Sequence, residues 1–173
     1  PVSVVRNMPV ISESTDFCDI ELPNEPFILY QGALNEGRGL EILLDVLVDT
    51  NYHLVIVGEG DLSSMLKTRT KELKLENQVY FVGFVVPSKL PSITKRAFVG
   101  YNVSENLGLS YYYSLNNKFF DYVAAELPSL VNDFPEYTKL MADFQVGLPT
   151  AYNVNSIKEN LDNLYSNNKV AYY

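Results

Sequence analysis

Phe27-Ile28-Leu29-Tyr30-Gln31 stops at Gly32, and His53-Leu54-Val55-Ile56-Val57 stops at Gly58. Each run is about strand length and almost wholly apolar, with no alternation of polar and apolar residues. Such a run fits a strand buried on both faces, as in a parallel sheet. Between them Leu40, Ile42, Leu43, Leu44, Val46 and Leu47 fill a strongly apolar helix. A strand, a helix and a second strand in that order make a right-handed crossover.

The same unit repeats outward. Leu62, Met65, Leu66, Leu73 and Leu75 recur at helical spacing, and Val79-Tyr80-Phe81-Val82 is a third strand stopped by Gly83. A short helix follows over 88–96, with Pro91 in its first turn. Phe98-Val99-Gly100-Tyr101 reads as a fourth strand, 117–126 as a helix burying Phe119, Phe120, Val123 and Ala124, and Ser129-Leu130-Val131 as a fifth strand. A helix over 137–143, a short strand Val146-Gly147-Leu148 and a helix over 154–166 complete the series. The pattern predicts an α/β fold, a Rossmann-like doubly wound parallel sheet. Its binding site is expected outside the carboxyl ends of the strands, where Gly32, Gly58, Gly83 and Tyr101 fall.

Residues 1–26 break the alternation. Val2-Ser3-Val4-Val5 reads as one further strand and the stretch to Pro26 as a linker, which leaves 27–173 as the domain proper. A first residue other than Met and an abrupt Val170-Ala171-Tyr172-Tyr173 end read as a piece of a larger protein.

Composition narrows the function classes. With 47% apolar and 20% charged residues among 173, the chain can bury a core and is not disordered. A net charge of −8 argues against a nucleic-acid groove, and Cys18, alone, against a disulfide framework or a multi-thiolate zinc site. No apolar run is long enough to span a membrane, and no basic stretch followed by an apolar run opens the sequence, so no signal peptide is expected in it.

Three segments carry candidate chemistry. Gly32-Ala33-Leu34-Asn35-Glu36-Gly37-Arg38-Gly39 joins a strand to a helix, where backbone N–H groups and the helix N-terminus favour an anion and Arg38 could pair with a diphosphate. The same loop also reads as an ordinary turn with a solvated arginine. Gly58-Glu59-Gly60-Asp61-Leu62-Ser63 approaches a dinucleotide fingerprint, but Ser63 replaces the third glycine and no acidic residue follows at the required distance. It reads as a tight turn with Asp61 as helix N-cap, and NAD is disfavoured. In Asn116-Asn117-Lys118-Phe119-Phe120-Asp121-Tyr122, Lys118 and the adjacent N–H groups can meet an anion, while Asp121 can accept from a ribose diol. On spacing alone, an exposed capping segment with a surface Lys118–Asp121 pair is the favoured reading. His53, the sole histidine, reads as structural, and Tyr111-Tyr112-Tyr113 as packing or surface.

In order and spacing these segments resemble the C-terminal, donor-binding domain of GT-B glycosyltransferases, close to the GT4-like group. Pro1-Val2-Ser3-Val4-Val5-Arg6-Asn7-Met8-Pro9 looks like the inter-domain strand with its Asn-x-Pro end. Tyr30-Gln31-Gly32 with Arg38-Gly39-Leu40-Glu41 looks like the family's first glycine loop, and Leu54-Val55-Ile56-Val57-Gly58-Glu59-Gly60 like its second strand and turn. Val79-Tyr80-Phe81-Val82-Gly83-Phe84-Val85 resembles the segment around the nucleotide base. Asn117-Lys118-Phe119-Phe120-Asp121-Tyr122-Val123-Ala124-Ala125 with Leu127-Pro128 resembles the Asn-Lys-…-Glu-Tyr helix.

The resemblance implies a donor site built from Gly32, Arg38, Gly39, Gly58, Phe84, Val85, Asn116, Asn117, Lys118 and Asp121. It implies a UDP- or GDP-sugar donor, retention of anomeric configuration, no cofactor and no obligatory metal. The catalytic groups are expected mainly in an N-terminal acceptor domain outside this chain, so the chain alone should bind donor and turn over little. Any membrane association is expected only through that half, and the location is expected to be cytoplasmic or peripheral to the inner face of the membrane. Three departures stand out. Ala33 replaces an arginine common after the first glycine. Tyr113 falls at the first site of the two-glutamate motif, whose second site is Asp121. Glu126 occupies a post-helix position where relatives often place glycine, and a left-handed residue there costs about 1 kcal/mol. The rival reading is a non-catalytic α/β nucleotide-binding or regulatory module.

Overall fold

The computed structural model describes the backbone of residues 20–171 and the side chains of residues 20–166. The expected strand at Val2–Val5, most of the linker and Cys18 lie outside the described residues. Six strands form one sheet: β1 (Phe27–Gln31), β2 (His53–Val57), β3 (Val79–Gly83), β4 (Val99–Asn102), β5 (Ser129–Asn132) and β6 (Gly147–Thr150). Their order is β3-β2-β1-β4-β5-β6, and every pairing is parallel. The doubly wound parallel sheet read from the apolar runs is the fold. Strand order reverses between β1 and β4, so the crevice lies between the segments that leave those two strands.

All five residues of β1 are buried, because the sheet is covered on both sides. On one side α1 (Leu40–Leu47), α2 (Ser63–Glu72) and α7 (Val154–Ala171) pack Leu43, Leu44, Leu66, Ile157 and Leu161 onto Ile28, Ile56, Val99 and Leu130. On the other side lie α3 (Leu90–Thr94), α5 (Asn117–Ala124) and α6 (Pro135–Asp143). There Ile93 and Tyr122 meet Leu29 and Val55, and Phe119, Phe120 and Tyr137 meet Val131. Alternate residues of each strand therefore feed opposite layers.

Several local expectations need correction. Helix α4 (Leu109–Tyr112) was not anticipated from the sequence: it is a single turn that opens at Gly108. On α5 the deeply buried residues are Phe119, Phe120 and Tyr122, whereas Val123 and Ala124 are only half-buried. The Tyr122 ring rests on Gly100 of β4, where a Cβ would collide with it. Asp61 caps nothing. Helix α2 begins at Ser63, whose Oγ accepts from the Gly60 N–H at 3.0 Å and donates to Glu59 Oε2 at 2.7 Å.

Glu126 does adopt the left-handed conformation, with φ 57°. Its N–H donates to Val123 O and the Leu127 N–H to Tyr122 O, at 3.1 and 2.9 Å, which is a Schellman ending of α5. Lys74 closes α2 in the same way, with φ 59°.

Candidate functional site

The segments leaving β1 and β4 lock together at the reversal point. Gly39, φ 68°, presents its carbonyl to the Tyr101 hydroxyl at 2.9 Å, and the Gly37 carbonyl accepts from the Glu105 N–H at 3.0 Å. A side chain on Gly39 would collide with the Val103 carbonyl, so the α1 N-terminus is held against the β4 segment. Tyr101, expected at the cleft, is fully buried and serves as this clamp.

Gly32, φ 132°, leaves room for Lys118. A Cβ there would lie 3.4 Å from Lys118 Cε and 3.5 Å from its Nζ. That ammonium lies over the Tyr30 ring, 3.6 Å from its centroid. Desolvation, and then the nearby Arg38 charge, hold the Lys118 amine well below its usual range. The Arg38 guanidinium lies 5.7 Å from the centroid of the Tyr111 ring. The Arg38 guanidinium and the Lys118 amine thus each rest on a tyrosine ring. Among the described residues the sole ion pair is Arg69–Asp45, so neither cation is neutralised by a carboxylate. Two repelling cations beside a glycine loop form a field that an anion relieves.

Asp121 lies one turn along α5 from Lys118. It does not pair with Lys118. Its Oδ2 accepts from Gln31 Nε2 at 3.1 Å, and burial raises its pKa while that hydrogen bond lowers it. The surface Lys118–Asp121 pair allowed by spacing is therefore absent.

The remaining candidates divide. The Asn116 N–H donates to the Tyr137 hydroxyl and its Nδ2 to Asn102 Oδ1, both at 3.0 Å, so these groups brace the start of α5. Asn117 is exposed at the first position of that helix. Gly58, φ 132°, faces the Gly32 carbonyl so closely that no Cβ fits, and its N–H donates to the Gly83 carbonyl at 2.8 Å. It joins neighbouring strand ends together. Phe84 is 75% exposed after β3, whereas Val85 is buried in the core. His53 stands at the opposite end of the sheet beside Tyr80, consistent with a structural role.

Sequence reading missed two residues that shape this site, Tyr30 and Gln31. Gln31 carried a signal: it is an amide ending a strand that is otherwise apolar.

Comparison with known proteins follows the same lines. A family model described as "Glycosyl transferases group 1" matches residues 14–172. The D-rhamnosyltransferase WbpZ of Pseudomonas aeruginosa is 44% identical over 59 residues, 34% of this chain and 15% of WbpZ. The apo form of the lipopolysaccharide outer core galactosyltransferase WaaB matches with a TM-score of 0.70 at 19% identity, over 96% of this chain and 47% of WaaB. Anabaena HepE in complex with UDP-glucose matches with a TM-score of 0.68 at 16% identity, over 83% of this chain and 40% of HepE. At those identities the structural likeness is one of fold. The chain spans under half the length of each of these proteins.

Proposed function

Given that this chain belongs to the glycosyl transferases group 1 family, we propose that it is the donor-binding domain of an enzyme that transfers a sugar from a nucleoside-diphosphate sugar to an acceptor. The observation that carries this reading is the pair Arg38 and Lys118, set on Tyr111 and Tyr30 at the strand-order reversal, without a carboxylate partner. A diphosphate supplies the missing negative charge. In this reading Asp121, one helical turn away, accepts from a ribose hydroxyl, and exposed Phe84 meets the base.

In this reading the leaving diphosphate is stabilised by Arg38, Lys118 and the helix N-termini at Gly39 and Asn117, so the step needs no metal. The transfer retains anomeric configuration and moves a hexose. The acceptor site and the groups acting on the sugar belong to an N-terminal domain of the same protein, and this chain by itself binds donor with little turnover. A cytoplasmic location, at most peripheral to the inner face of the membrane, goes with this reading. No described helix is long and apolar enough to cross a membrane.

Calorimetric titration with UDP, GDP and NAD tests the proposal. Binding of UDP or GDP with no response to NAD is expected. Tight NAD binding without a response to either diphosphate would overturn it.

A further inference from the structure

Gln31 is the only polar residue of β1, and it is 4% exposed. Burying an amide is costly unless both of its ends are bonded. Here both are. Nε2 donates to Asp121 Oδ2 at 3.1 Å, and Oε1 accepts from Thr94 Oγ1 at 2.9 Å. The Gln31 N–H adds a bond to the Tyr122 hydroxyl at 3.3 Å, and that hydroxyl lies 3.1 Å from the Leu29 carbonyl. Asp121 and Tyr122 are adjacent on α5, so one residue of β1 holds two consecutive positions of that helix.

The partners come from separate elements. Thr94 ends α3, the helix reached through the Phe84–Val85 segment after β3. Its hydroxyl also lies 2.9 Å from the Leu90 carbonyl, so the single proton can serve the helix or Gln31. Thr94 is 2% exposed, so this link is made out of water. Asp121 Oδ1 has no hydrogen-bond partner among the described residues.

We infer that Gln31 is a positioning residue of the donor site. Its amide fixes the Asp121 carboxylate through Oδ2, leaves Oδ1 to accept from a ribose hydroxyl, and ties that carboxylate through Thr94 to the segment on the base side. This role rests on the donor-site reading proposed above. A carboxylate held at one oxygen has lost most of its rotational freedom before the ligand arrives, which lowers the ordering cost of binding.

The test compares ligands with and without the diol. The chain is titrated with UDP and GDP, with their 2′,3′-dideoxy counterparts, and with inorganic pyrophosphate. Gln31→Leu removes both amide bonds, and Thr94→Val removes the buried hydroxyl. For Gln31→Leu we expect about tenfold weaker binding of the diol-bearing nucleotide, the effect of one charge-assisted bond. Binding of the dideoxy nucleotide and of pyrophosphate should stay within about twofold. Thr94→Val should show the same selective loss, about threefold, because it slackens the amide without removing it. Equal losses for all three probes would mean general damage to the fold and would overturn the assignment, as would unchanged binding. If Gln31→Leu does not fold, the same comparison on Thr94→Val decides. A wild-type chain that binds pyrophosphate but neither nucleotide would instead overturn the donor-site reading itself.

Discussion

The ammonium of Lys118 sits 3.6 Å from the centre of the Tyr30 ring, on the strand that leads into the glycine loop. The two residues are far apart in the chain and meet because α5 packs across the end of β1. An aromatic face attracts a cation without neutralising its charge. Tyr30 is itself anchored, its hydroxyl donating to the Ala33 carbonyl at 2.6 Å.

In the donor-site reading, Lys118 is expected to make both stability and nucleotide binding depend on pH. Its folded pKa lies well below the ordinary 10.5, from desolvation first and then Arg38. The unfolded chain therefore binds more protons, and stability rises with pH between the lowered folded value and 10.5. An incoming diphosphate favours the charged amine, so its affinity falls as pH rises through the same window. Lys118→Met should flatten both profiles, raise stability at neutral pH by about 1 kcal/mol or less, and weaken nucleotide binding. Melting curves and titrations across the pH range measure both effects. Unchanged affinity with a flattened stability profile would remove Lys118 from the binding site.

Arg38 and Asp121 should separate by salt. Arg38→Ala is expected to weaken nucleoside-diphosphate binding by about 1.5–3 kcal/mol, as for a lost charge-assisted contact. That loss shrinks at high salt, because Arg38 is partly exposed and its attraction is screened. Asp121→Asn should weaken nucleotide binding with little salt dependence, since its proposed partner is a neutral diol, and leave pyrophosphate binding intact. Isotherms for the two variants at two salt concentrations make the comparison. Parallel salt curves would count against the separate roles.

The left-handed residues at the ends of α2 and α5 offer a control outside the site. Lys74 and Glu126 are exposed, and their φ angles are 59° and 57°. Lys74→Gly and Glu126→Gly should each stabilise the protein by about 0.5–1 kcal/mol, and the pair should add. Denaturant melts would show this. Ligand affinity should stay the same.

Gly58 gives the opposite outcome. A side chain there would run into the Gly32 carbonyl, and φ is 132°. Gly58→Ala should destabilise the fold by more than about 2 kcal/mol, through steric strain between neighbouring strand ends. Thermal melts measure the loss, and a variant as stable as the wild type would contradict the contact.

The fold was legible in the sequence because its signals are local. Apolar runs of four or five residues ending at Gly32, Gly58 and Gly83 dictated a sheet buried on both faces, and the helical spacing between them required parallel crossovers. The left-handed Glu126 was expected from the family resemblance, which places a glycine-favouring position after that helix. What each site residue does was not local. Lys118 and Asp121, three apart on one helix, allowed an ion pair on spacing alone. Tertiary packing sent Lys118 to Tyr30 and Asp121 to Gln31, about ninety residues away in sequence. Asn116 and Gly58 looked like ligand contacts, and packing turned Asn116 toward Asn102 and Gly58 against Gly32. The backbone pattern decides where strands end. Which buried polar group satisfies which is decided only when distant elements meet, because a desolvated donor takes the partner that the assembled core brings within about 3 Å.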